Sequence, residues 1–105
     1  MTEQPSTLYA KLLTETASIS WQELQPYFAK GVLLWVDGSA DLVAVAEAVA
    51  ENEHGKVRQW LESGVLSKME DSCAEDLATR DPQLWAVVIV PWVLVQERAQ
   101  ASTAH

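Results

Sequence analysis

Residues 84–95 form an unbroken apolar run of twelve positions with Pro91 inside it. No other feature constrains the fold as much. A strand shows alternate side chains to opposite faces, so a run apolar at every position needs apolar cover on both. Trp85, Val87, Val88, Ile89 and Val93 are aromatic or branched, which favours a strand. The run is too short to cross a membrane as a helix. It is therefore expected to be one long central strand, residues 85–95. Pro91 cannot donate to a ladder, so a bulge or an interruption is expected there.

Helix and turn signals divide the rest. Residues 8–16 read as a helix that Ser6 or Thr7 can cap, with Tyr9, Leu12 and Leu13 as its apolar stripe. A second helix starts at Ser20, where Ser20-Trp21-Gln22-Glu23 has capping-box spacing. Pro26 predicts a kink or restart within it, and Gly31 its end. The apolar stretch 32–36 stops at Asp37-Gly38-Ser39 and reads as a buried strand. Helices are expected over 41–51, capped by Asp41 or Ser39, and over 54–63, with Val57, Trp60 and Leu61 inward and Gly64 as the stop. Residues 65–69 suit a short strand, and 71–80 an exposed helix or turn ended by Asp81-Pro82. Residues 7–98 are expected to be a single globular domain, with 1–6 and 99–105 as loose ends. The expected class is α+β: a three-stranded sheet backed by helices, in a winged-helix-like order.

Charge narrows the function classes. The 105 residues carry a formal net charge of −8. Asp37, Asp41, Glu47, Glu51 and Glu53 follow one another with no Lys or Arg between them. Such a surface repels phosphate backbones and anionic lipid, so neither a nucleic-acid interface nor a membrane is expected as a partner. The single cysteine, Cys73, cannot form an intrachain disulfide, and nearby carboxylates disfavour its thiolate. The N-terminal residues lack the basic and apolar regions of a signal peptide. A cytoplasmic location is expected.

Several constellations have a functional and an ordinary reading. Val45-Ala46-Glu47-Ala48-Val49 followed by Val57-x-x-Trp60-x-x-x-Gly64 resembles the helix-turn-helix of excisionase and MerR-type regulators. The intervening turn lacks the usual apolar plug and is one residue longer than the pattern, and the second helix brings only Lys56 and Arg58. A DNA reader needs more cations than that. Asp37 and Asp41 could ligate a hard cation, but ending a strand and capping a helix account for both. Cys73, His54 and the last residue, His105, cannot make a zinc shell, and no P-loop, dinucleotide fingerprint or nucleophile elbow occurs. No metal and no cofactor are expected. Of the five tryptophans, Trp21, Trp35 and Trp60 lie in phase with core stripes. Trp92, beside Pro91, is the one of the five best placed to face a partner or pocket, with a core position as its ordinary reading.

Taken together, the segments resemble a bacterial family, domain of unknown function 2288. The matching stretches are Lys11-Leu12-Leu13-x-Glu15-Thr16-Ala17, Trp21-Gln22-Glu23-Leu24, Val36-Asp37 with Asp41-Leu42-Val43-x-Val45-Ala46, Val57-x-x-Trp60-x-x-x-Gly64, Trp85-Ala86-Val87-Val88 and Pro91-Trp92-Val93-Leu94-Val95-Gln96-Glu97. Pro26 departs from the better helix former expected of the family. The resemblance implies a bacterial source and supplies no catalytic residue.

The function read from these features is a non-enzymatic protein-interaction module that self-associates as a homodimer. Its candidate partner or ligand surface is Asp37, Asp41, Pro91, Trp92 and Gln96, with no catalytic residue. Two alternatives stay open: a divergent winged-helix nucleic-acid binder, and a small-ligand or enzyme domain near Asp37, Asp41 and Trp92. The first needs Lys30, Lys56, Arg58 and Lys68 on one face; the second needs a deep carboxylate-lined pocket.

Overall fold

The structure is a computed structural model that describes residues 7–97. The expected loose ends, 1–6 and 99–105, lie outside the described residues, as does residue 98. In chain order the elements are α1 (Thr7–Glu15), β1 (Ala17–Ile19), α2 (Trp21–Lys30), β2 (Leu33–Val36), α3 (Leu42–Ala50), α4 (His54–Ser63), β3 (Leu66–Lys68), α5 (Asp71–Arg80), β4 (Leu84–Ile89) and β5 (Trp92–Glu97). The fold is α+β, but the sheet has five strands rather than the expected three, in the order β1-β4-β5-β2-β3. Only the β5–β2 pair is parallel.

The extra strands have two sources. The run 84–95 is not one strand but a hairpin. Ile89 pairs with Trp92, and Val90-Pro91 alone makes the turn, with a cis peptide between them. That is the type VI arrangement, with proline at the third position. The predicted interruption at Pro91 is thus a full reversal. β1 is the second source: it adds Ala17–Ile19 along the first half of β4. The hairpin strands lie inside the sheet, and β3 and α5 stand between α4 and the hairpin. In a winged helix the strand pair would instead follow the second helix and project as a wing.

Helices cover both faces, which is why the hairpin strands are apolar on both sides. Val93 and Val95 of β5 join Leu33, Leu84 and Ala86 against Trp21 and Leu24 of α2 and Leu77 of α5. Leu94 points the other way, with Val36, Leu66 and Val87, against Leu12 of α1 and Leu42, Val45 and Ala46 of α3. Each fully buried leucine or valine of these clusters contributes on the order of 1.5–3 kcal/mol over an exposed one.

Local chemistry sets the helix ends. Ser20 accepts a hydrogen bond from the Glu23 N–H and caps α2. The helix continues through Pro26 without the expected restart; the Gln22 carbonyl that proline leaves unpaired sits at an exposed position where water can serve it. α3 and α4 start where expected, but α4 buries no residue fully. Leu61, expected inward, is 50% exposed. α4 and α5 end at Gly64 and Asp81 in the left-handed region (φ 88° and 51°), where glycine is free of Cβ strain and aspartate tolerates it. No helix among the described residues is long and apolar enough to cross a membrane.

Candidate functional site

The five candidate residues fall into two groups at opposite ends of β5. Gln96 lies beside Val36 in the parallel register, so it stands next to the loop that carries Asp37 into α3. Trp92 is four residues earlier, about 13 Å along the strand. Asp37, Asp41 and Gln96 come together; Pro91 and Trp92 do not join them.

The first group is a self-satisfied loop. Gln96, 3% exposed, donates from Nε2 to the carbonyls of Asp37 at 2.9 Å and Ala40 at 2.7 Å. Asp41 caps α3 by accepting from the N–H groups of Val43 and Ala44 at 3.0 and 3.3 Å. Its second oxygen accepts from the Tyr9 hydroxyl at 2.7 Å, fastening α1 to the start of α3. That bond favours the protonated phenol and raises the Tyr9 pKa. Asp37 accepts from both the hydroxyl and the N–H of Ser39, which hold its carboxyl below the ordinary range. Every polar group here thus has a structural duty, and among the described residues no three His, Cys, Asp or Glu side chains could hold a metal ion together.

Near this end, Arg80 of α5 chelates Asp76 and Glu97. Its Nη2 stands 2.6 Å from Asp76 and 2.9 Å from Glu97, and the bonds lower both carboxyls while raising the guanidinium. The network ties α5 to the end of β5. Cys73 is half-buried, and burial first, then Asp76, pushes its thiol up. The weak thiolate expected from its acidic neighbours therefore owes more to burial.

The second group borders a cleft of about 540 Å³ between the α3–α4 hairpin and the β4–β5 turn. Trp92 is half-buried and packs on the core while lining this cleft with Val49, Val57, Leu61 and Ile89. Asn52, His54 and Arg58 supply its polar side chains. Val90, at the tip of the turn, is 85% exposed; Val88 is 55% exposed on the other face of the sheet, beside Ala86, Val93 and Tyr27. The sequence points to Pro91 and Trp92 but not to α4's share, because the spacing of Leu61 with Val57 and Trp60 is that of a core stripe. Its neighbours His54 and Arg58 were the available signal: with Leu61 they recur at helical spacing.

The cations do not share one face. Lys30 ends α2 in one helical layer, over the ring of Tyr27, whereas Lys56 and Arg58 belong to α4 in the other.

The family model "Protein of unknown function (DUF2288)" matches residues 7–97. The chain belongs to this family. It is also similar to a solved structure, the NMR solution structure of PA1075 from Pseudomonas aeruginosa. The two are 61% identical over 100% of this chain and 97% of that one, with a TM-score of 0.80. No curated protein matches. Neither DUF2288 nor the PA1075 structure carries an activity in its description, so the family leaves function to the geometry.

Proposed function

We propose that the chain is a non-enzymatic protein-interaction module that self-associates as a homodimer through the surface around Pro91 and Trp92. The observation that carries this is the concentration of exposed apolar side chains at one end of the molecule. Val90 at 85% and Leu61 at 50% exposure flank a half-buried tryptophan, and Val88 at 55% lies at the same end on the other face of the sheet. Water pays no compensation for such a surface, and a ring already held by the core loses little freedom on docking. The opposite end of β5 supports the non-enzymatic reading: its carboxylates are engaged in capping, in a tight turn and with Arg80. The half-buried Cys73 requires no oxidising compartment, which supports a cytoplasmic location.

Sedimentation velocity from 1 to 200 μM tests the reading. A dimer is expected for the native chain. Val90→Glu and Leu61→Glu should each weaken it at least tenfold, about 1.4 kcal/mol, with an unchanged circular dichroism spectrum. A native chain that stays monomeric throughout the range refutes self-association.

A further inference from the structure

The cleft beside the turn has a chemistry of its own. Its volume of about 540 Å³ is that of a small-molecule site. Its lining is mixed: Val49, Val57, Leu61, Ile89 and Trp92 supply apolar surface, and Asn52, His54 and Arg58 supply polar surface. Its polar lining contains no carboxylate, in a chain with 15 acidic and only 7 basic residues. Arg58 projects there from α4 and makes no ion pair among the described residues, whereas Lys56 is held by Glu53 and Arg80 by two carboxylates. His54 adds a hydrogen-bonding ring. It opens α4, whose first N–H groups receive no side-chain cap from Glu53.

We infer that this cleft binds a small apolar carboxylate, its hydrocarbon or aromatic body against Trp92, Val57 and Leu61 and its carboxylate on Arg58. A guanidinium takes a carboxylate through two parallel hydrogen bonds, which a hydroxyl cannot reproduce and an ammonium opposes. A neutral apolar ligand would leave Arg58 without a partner, and a polyanion would leave Trp92, Val57 and Leu61 without an apolar match. The inference rests on the cleft's lining; Trp92 and Leu61 also belong to the proposed dimer surface, so ligand and second copy would compete for them.

The test is a titration of the 15N-labelled full chain with octanoate, octanol and octylamine, each below its micelle concentration or solubility limit, followed by amide shifts. Octanoate should move the amides of residues 49–61 and 89–92 saturably, and bind at least tenfold tighter than octanol or octylamine. Arg58→Gln should weaken octanoate at least fivefold and leave octanol unchanged, while amides away from the cleft keep their positions and report an intact fold. Translational diffusion in the same samples reads the oligomeric state separately, so failure of the dimer and failure of the site are distinguishable. Equal binding of all three probes, shifts scattered outside the cleft, no shifts at millimolar octanoate, or full octanoate affinity in Arg58→Gln would each overturn the inference.

Discussion

Gln96→Ala should be among the most damaging single changes outside the apolar core. Among the described residues Gln96 is the one buried polar side chain, and its amide nitrogen serves two backbone carbonyls at once. The Asp37 carbonyl would keep its bond from the Ala40 N–H at 3.0 Å, so the Ala40 carbonyl carries the larger loss. Two net hydrogen bonds are worth about 1 kcal/mol each, and a buried acceptor left dry costs about 1–3 kcal/mol. The expected destabilisation is about 2–4 kcal/mol. Each kcal/mol moves Tm by about 4–8 °C in a domain of this size, so Tm should fall by at least ~8 °C. Gln96→Glu is the sharper test, because it keeps the shape and replaces the donor with a carboxylate aimed at two carbonyl oxygens. The introduced carboxyl should have its folded-state pKa raised above its unfolded value. Its penalty is then present above the folded pKa and relieved as pH falls through it. Urea unfolding of both variants against the native chain, at neutral and mildly acidic pH, measures this. The reasoning is refuted if Gln96→Ala lies within 0.5 kcal/mol of native, or if Gln96→Glu is no less stable than Gln96→Ala at neutral pH.

Three further outcomes are expected. Asp41→Ala should cost about 1 kcal/mol through the lost α3 cap, and Tyr9→Phe should have a smaller effect that vanishes in the Asp41→Ala background, measured as a double-mutant cycle by urea unfolding. Arg80→Gln should flatten the acid limb of stability: Asp76 and Glu97 are lowered by Arg80, so their contribution is present above their unfolded pKa values and lost as pH falls through the lowered folded ones; thermal melts from pH 2 to 7 check it. A random DNA duplex at low salt should show no mobility shift with micromolar protein, since the basic residues are split between two helical layers; a salt-sensitive shift would revive a nucleic-acid role.

The sequence made the helices legible because their signals are local. Ser20, Asp41, Gly31 and Gly64 stop or start helices through their own backbone and side-chain chemistry. The sheet was less legible because its partners are remote. Ala17-Ser18-Ile19 is only three residues long, too short for its alternation to mark a strand; its strand character comes from pairing with Leu84–Ala86, far along the chain. The hairpin hid within residues 84–95 because its turn holds valine and proline instead of glycine or asparagine, and because two helical layers make both strands apolar throughout. The candidate surface was half legible. Asp37, Asp41 and Gln96 do meet, but as loop scaffolding, and β5 holds them a strand's length from Trp92. Leu61 passed for core because Val57 and Trp60 on the same helix do pack on it.

Intermolecular contacts at the turn test the central claim most directly. In an equimolar mixture of 13C-labelled and unlabelled chain, an isotope-filtered NOE experiment detects only contacts between copies. The account predicts cross-chain NOEs from the Val90 and Leu61 methyl groups to the Trp92 ring or to their counterparts in the other copy. Intermolecular NOEs confined to another surface, or none at a concentration of several hundred micromolar, would contradict it.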